Sequence, residues 1–202
     1  DSYAEVSALL KVCMISMSKI CNDLRLMASG PRCGLFELNL PPRQPGSSIM
    51  PGKVNPVMAE VINQIAFQVI GNDITVTMGV EAGQFELNVM EPVFVFNVIQ
   101  SLTIMANGFK VFTKYLLTDL TANPDRMKAY VENSVGIVTA INPHVGYETA
   151  AKLAREAYVT GKPIREIILR DKVLTEEEVN IILDPVGMTT PGISGAELKK
   201  NK

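Results

Sequence analysis

Three long apolar segments constrain what this chain can fold into more than any other feature of its sequence. Val6, Leu9, Leu10, Cys13, Met17, Ile20 and Leu24 recur at three- and four-residue steps, which predicts an apolar stripe along one helix that stops near Ser29-Gly30-Pro31. A second helix is expected from Pro56 to about Met78, with Asn55 as its N-cap and Pro56 at the first helical position, where the missing N–H costs nothing. Val57, Val61, Ile62, Ile65, Ala66, Val69 and Ile70 spread apolar groups over more than one of its faces. Gly79 to Asn88 breaks the period, and a third apolar segment runs from Glu91 to about Leu117. Helices apolar on several sides must be covered by neighbours, so the pattern predicts a bundle larger than one such chain supplies, and hence an oligomer.

Shorter elements are expected beyond Asn123-Pro124-Asp125, a second cap-plus-proline helix start. Pro143 to Thr160 reads as one helix closed by Gly161, with His144 just inside its start. A brief helix spans Pro163 to Asp171, and Thr175-Glu176-Glu177-Glu178 is a capping box opening the last one. Asp184-Pro185 ends that helix, and the tail to Lys202 is expected to be loosely held. No strand alternation or repeat stands out. The expected class is therefore all-α, with a long-helix region at 1–123 and a small helical region at 124–202.

Composition removes several function classes. Of 202 residues, 47% are hydrophobic and 20% charged, with a formal net charge of -2, which is a soluble globular balance. Lysine and arginine are scattered, so no basic stripe for nucleic acid and no polybasic membrane patch is expected. Unbroken apolar runs such as Val93 to Phe96 are too short to span a bilayer, and Asp1-Ser2-Tyr3-Ala4-Glu5 begins nothing like a signal peptide. The cytoplasm is the expected location. Cys13, Cys21 and Cys33 have no CxxC spacing and read as core or incidental thiols, and a single histidine, His144, cannot build a multi-histidine metal site.

The chemistry-bearing stretch is GSSIMPGKVNPVMAE, Gly46 to Glu60. It fails as a phosphate-binding P-loop, because five residues separate Gly46 from Gly52 and Val54 follows Lys53. Nor does it contain a G-x-S-x-G elbow or a serine with lysine three residues on. What remains is a glycine-bordered loop presenting a serine hydroxyl, a lysine ammonium and an asparagine amide, which runs into a helix N-terminus. Unpaired N–H groups and the positive dipole end there favour anions, carboxylates especially. A serine beside such a cradle can act as nucleophile or as general base.

This loop resembles the signature of the aspartase/fumarase superfamily, G-S-S-x-M-P-x-K-x-N-P followed by a helix carrying glutamate. Within it, Gly83-Gln84-Phe85-Glu86-Leu87-Asn88-Val89-Met90-Glu91-Pro92 is similar to the ammonia-lyases, where the hydratases usually have Phe and then Arg or Lys before the proline. Asn133 to Thr139, with Asn142-Pro143 after it, points the same way. A class II fumarate hydratase acting on malate, and a non-catalytic helical assembly fragment, are the alternatives.

The resemblance implies an L-aspartase-like fold: the last helices of a central bundle and a small helical C-terminal domain. It implies that Ser47 is the general base that takes the Cβ proton of L-aspartate, through an aci-carboxylate intermediate that expels ammonia and leaves fumarate. No cofactor or metal is implied. Lys53 and Asn55 match the carboxylate-binding positions, and Gly46, Ser48, Ile49, Met50, Pro51 and Gly52 shape a loop that closes over the substrate. Glu60 matches an acid that pairs with a histidine on another segment; as a first-turn carboxylate it also complements the helix dipole. Family members are more than twice as long, and each site draws on three subunits of a homotetramer. The expectation is thus a fragment, inactive alone, of a larger enzyme.

Overall fold

The computed structural model describes residues 1–46 and 48–201 and is all-α apart from one two-residue ladder. The chain divides into two compact units, Asp1–Asn123 and Pro124–Lys202.

The first unit consists of α1 (Ser2–Met27), β1 (Leu38–Asn39), α2 (Val57–Glu81), α3 (Glu91–Tyr115) and β2 (Thr121–Ala122). Helix α2 packs against both α1 and α3. The packed positions follow a seven-residue repeat. On α3 they are Phe94, Val98, Ser101, Met105, Gly108 and Phe112, alternating four- and three-residue steps. On α1 the buried Ser7, Met14 and Cys21 alternate with half-buried Leu10, Met17 and Leu24. A strict 3.5-residue period keeps a narrow seam facing its partner along a long helix, as in coiled coils. This corrects the expected stripe on α1. Leu10, Met17 and Leu24 do face the core, but Val6, Leu9, Cys13 and Ile20 lie on the exposed side.

One glycine contact and three polar clusters fix how α2 meets its neighbours. A Cβ on Gly108 would lie 2.5 Å from Ile65 Cδ1, so glycine lets α3 approach α2 closely there. Asn72 Nδ2 donates to Ser101 Oγ (2.9 Å) and Gln100 Oε1 (2.9 Å) of α3. On the other flank Ser7 Oγ donates to Asp73 Oδ1 (2.8 Å), and Lys11 pairs with Asp73 Oδ2. Lower down, Asn63 Nδ2 donates to Ser18 Oγ (2.8 Å) and Asn22 Oδ1 (3.1 Å). Each satisfied bond contributes only about 1 kcal/mol, whereas a slipped register would strand buried polar groups at about 1–3 kcal/mol each. The polar layers therefore set register, and the apolar seam supplies depth.

By length and composition alone, Glu91–Asp119, whose most apolar 18-residue window has a mean hydropathy of 1.3, is long and apolar enough to cross a membrane. The expectation drawn from unbroken runs missed this, because polar residues interrupt the apolar ones without lowering their average much. Those residues explain the helix's use here: Gln100 and Ser101 meet Asn72 in a packed bundle. Burial pushes the Cys21 thiol up to about 11 against the opposing effect of the Arg25 charge, leaving it a core group.

The second unit holds α4 (Pro124–Asn133), α5 (Val138–Val145), α6 (Tyr147–Thr160), α7 (Ile164–Arg170), α8 (Glu176–Ile182) and α9 (Pro185–Thr189). Its core gathers Ile141, Leu153, Ile164, Ile167, Val179 and Ile182. Gly161, at φ 68, ends α6 in the left-handed conformation, and the Thr175/Glu178 capping box opens α8 as expected. The single helix expected from Pro143 to Thr160 is broken at Gly146, whose φ of 82 stops α5 before α6 begins. His144 consequently sits in the last turn of α5, where Nε2 donates to the Ser194 carbonyl (2.8 Å). Asp184 both follows α8 and caps α9, accepting from the Gly187 N–H at 2.7 Å. Nor is the segment after α9 loose as far as Leu198: buried Ser194 donates to the Ile182 carbonyl (2.7 Å) and Leu198 packs on the core.

Candidate active site

The loop between β1 and α2 carries the residues singled out by their chemistry. Ser47 lies outside the described residues. On either side of it the loop closes on itself at a narrow neck, where the Gly46 N–H donates to the Lys53 carbonyl at 3.0 Å. The Lys53 N–H in turn donates to the Met50 carbonyl at 3.3 Å. A Cβ at position 46 would stand 2.4 Å from the Lys53 carbonyl oxygen, so the neck demands glycine. Gly52, at φ 80, supplies the left-handed turn that brings Lys53 back.

Asn55 corrects its expected role as the helix cap. Its side chain reaches the neck instead, donating from Nδ2 to the Gly46 carbonyl at 3.0 Å, and Pro56 occupies the N-cap position of α2 without a side-chain cap. Proline can stand there because it has no N–H to satisfy, and the first N–H groups of α2 are left pointing toward the loop. Gly46, Lys53 and Asn55 are thus brought together by two hydrogen bonds. Lys53 is exposed and lines a concavity of about 380 Å³ with Pro42, Gln44, Met50, Gly52 and Val54. Ser48, Ile49, Met50 and Pro51 form the outer rim, with Ile49 90% exposed.

Glu60 is not among the residues lining that concavity. One turn into α2, its Oε1 lies 3.8 Å from Arg25 of α1, whose other nitrogen donates to Asn63 Oδ1 at 3.3 Å. In this chain the carboxylate therefore has a cation partner as well as the helix dipole. The stem of the loop has a further anchor that the sequence did not disclose. Arg43 Nε donates to the Tyr115 carbonyl at the end of α3 (2.7 Å), and a second guanidinium nitrogen meets Asp119 Oδ2 at 2.5 Å. Its partners lie more than seventy positions away in sequence, so no local pattern signals the contact.

A lysine at the positive end of a 25-residue helix suits a ligand bearing a carboxylate. Among the described residues no group of three or more His, Cys, Asp or Glu side chains could hold a metal ion. Fold and loop together define a helical-bundle protein with a lysine-bearing, glycine-necked loop at a helix N-terminus.

Comparison with known proteins narrows that class. Residues 1–71 match a family described as lyase, and residues 137–190 match one described as the fumarase C C-terminus. An aspartate ammonia-lyase of a Bacillus species is 70% identical over 195 residues, covering 96% of this chain and 42% of that relative. Among solved structures, a fumarate lyase:delta crystallin from Brucella melitensis is 43% identical with a TM-score of 0.85, covering 95% of this chain and 41% of that one. A class II fumarase from Schistosoma mansoni is 34% identical with a TM-score of 0.86, covering 95% and 40%. The chain belongs to the aspartase/fumarase superfamily. It spans about two fifths of the length of the relatives it matches.

Proposed function

We propose that the complete protein is an ammonia-lyase that converts L-aspartate reversibly to fumarate and ammonia. The observation that carries this reading is the 70% identity, across 96% of the chain, to a protein described as an aspartate ammonia-lyase. On this reading Ser47 removes the Cβ proton. The electron pair moves into the adjoining carboxylate, giving an aci-carboxylate, and returns to form the double bond as the C–N bond breaks and ammonia leaves. Lys53 and the N-terminus of α2 hold that carboxylate, and their attraction strengthens as its negative charge grows, which is where binding accelerates a reaction. Loop residues Gly46 to Gly52 close over the substrate, and closure excludes water from the charged intermediate.

The chain supplies the loop, and the rest of the site comes from residues beyond these 202 and from other subunits of a homotetramer. Hydration of fumarate is the second reading, favoured by the likeness to a class II fumarase at 34% identity. Supplying the complete protein with aspartate and then with malate, and following fumarate absorbance, separates the two. Fumarate from aspartate alone is the expected result; fumarate from malate alone would establish the hydratase. Ser47→Ala should remove nearly all turnover and leave the thermal transition unmoved. Near-normal turnover in that variant would take Ser47 out of the base role.

A further inference from the structure

We propose that Arg43 is a positioning residue for the catalytic loop, a clamp that fixes the loop's stem to the C-terminal end of α3. The inference rests on the lyase reading for its functional consequence and on this geometry for its substance. Arg43 stands three residues before the neck. Its Nε donates to the Tyr115 carbonyl at 2.7 Å, its guanidinium meets Asp119 Oδ2 at 2.5 Å, and the same group lies over the Tyr115 ring at 5.5 Å from the centroid. One planar cation thus joins the loop to a backbone acceptor, a carboxylate and an aromatic face at the C-terminal end of α3. That end of a helix carries unsatisfied carbonyls and a negative partial charge, so a guanidinium is well placed there.

The clamp changes how much chain is free to move. From β1 to α2, the fixed points are the ladder of Leu38 and Asn39 with Ala122 and Thr121, the Arg43 contact, and the neck closed by Gly46, Lys53 and Asn55. Release of Arg43 leaves positions 40–45 held only at the ladder and the neck, which roughly doubles the longest unanchored run of the stem. Doubling a loop's length makes its closed arrangement about threefold less probable on chain entropy alone. Misplacement of the reacting groups adds to that loss, because reaction rates fall steeply with small errors in geometry. Arg43 touches no substrate; it acts through the loop it holds.

The test uses the complete natural protein with Arg43→Ala, Arg43→Lys and Asp119→Asn. Hydrogen exchange followed by mass spectrometry should show the segment around Gly46 to Lys53 exchanging about threefold to tenfold faster in Arg43→Ala, with α1, α2 and α3 unchanged. Arg43→Lys should recover part of that protection, since an ammonium can reach Asp119 but cannot reproduce the fork of contacts. Fumarate formation from aspartate should fall about threefold to tenfold in kcat, with KM altered less and the pH profile unshifted. Unchanged exchange in the loop, or faster exchange spread evenly over the helices, would overturn the clamp. Faster loop exchange with unaltered kcat would overturn its role in positioning. If the parent protein turns over no aspartate, the lyase reading fails, and loop exchange still judges whether Arg43 is the clamp.

Discussion

At the scale of single residues, position and charge decide more than identity. Lys53 is exposed at the mouth of its concavity and can meet an incoming carboxylate directly. Lys53→Gln keeps a donor but removes the charge, which is worth most when the intermediate carries extra negative charge. We expect kcat/KM for aspartate in the complete protein to fall about tenfold to a hundredfold, the scale of a charge-assisted hydrogen bond, with kcat falling as well as KM rising. A change confined to KM would reduce Lys53 to ground-state binding. Asp73 poses the opposite problem, a carboxylate buried between α1 and α2 with Ser7 and Lys11 as partners. Lys11 is a third exposed and can swing to water when its partner is removed, whereas Asp73 cannot. Lys11→Met should therefore destabilise by about 2–4 kcal/mol and Asp73→Asn by only about 1 kcal/mol, measured by chemical denaturation. Equal losses would mean that the pair is no more than a surface ion pair.

Among the elements, helices were legible wherever the signal was local. Apolar periodicity announced the three long helices, and the Thr175/Glu178 box and Gly161 announced their own boundaries because each works within a few residues. What escaped notice depends on distant partners. The α1 stripe was read as 3.6-periodic, but its packing against α2 selects a 3.5-residue seam, and only contact with the partner tells which apolar residues lie on it. Asn55 followed by proline has the local form of a cap, yet the Gly46 carbonyl, nine residues back, claims its amide. The loop was legible as a family motif; its anchoring by Arg43 was not, because Tyr115 and Asp119 arrive only through the fold. Arg170, at the end of α7, shows an element-level tie of the same kind. It makes paired bonds to Glu156 of α6 (2.5 and 3.0 Å) and to Asp171 (2.7 and 2.9 Å), and these hold both carboxyls below the ordinary carboxylate range. A depressed folded pKa contributes stability above the unfolded value and loses it as pH falls through the folded one. The melting temperature of the parent should therefore exceed that of Arg170→Gln near neutrality, and the gap should close as pH drops below the ordinary carboxylate range. Because the groups are exposed, added salt should shrink the gap too. A gap constant with pH would assign Arg170 a packing role.

On the scale of the whole molecule, the long helices offer more apolar surface than this chain covers. Helix α2 shows it most clearly. The faces packed on α1 and α3 account for Ile62, Ala66, Val69 and Val76, while Phe67, Gly71, Ile74 and Met78 form another line at four-, three- and four-residue steps. Phe67, Ile74 and Met78 are 64%, 59% and 65% exposed, and a Cβ added at Gly71 would meet nothing within 4 Å. A second seam with heptad spacing and a glycine in its middle has the form of a helix-packing surface, since the glycine lets a partner backbone come close. The proposed homotetramer would cover it with α2 or its neighbours from another subunit. Two substitutions then act with opposite logic. Gly71→Ala should stabilise an uncovered helix by about 1 kcal/mol through propensity alone, because nothing in the chain obstructs the new methyl. Within an assembled seam the same methyl intrudes, and the gain should vanish or reverse. Ile74→Glu places a charge in the seam and should lower the sedimentation mass of the complete protein while circular dichroism still reports folded helices. A variant that stays fully assembled, together with a Gly71→Ala chain that gains its full increment, would mean that this face of α2 remains open to water.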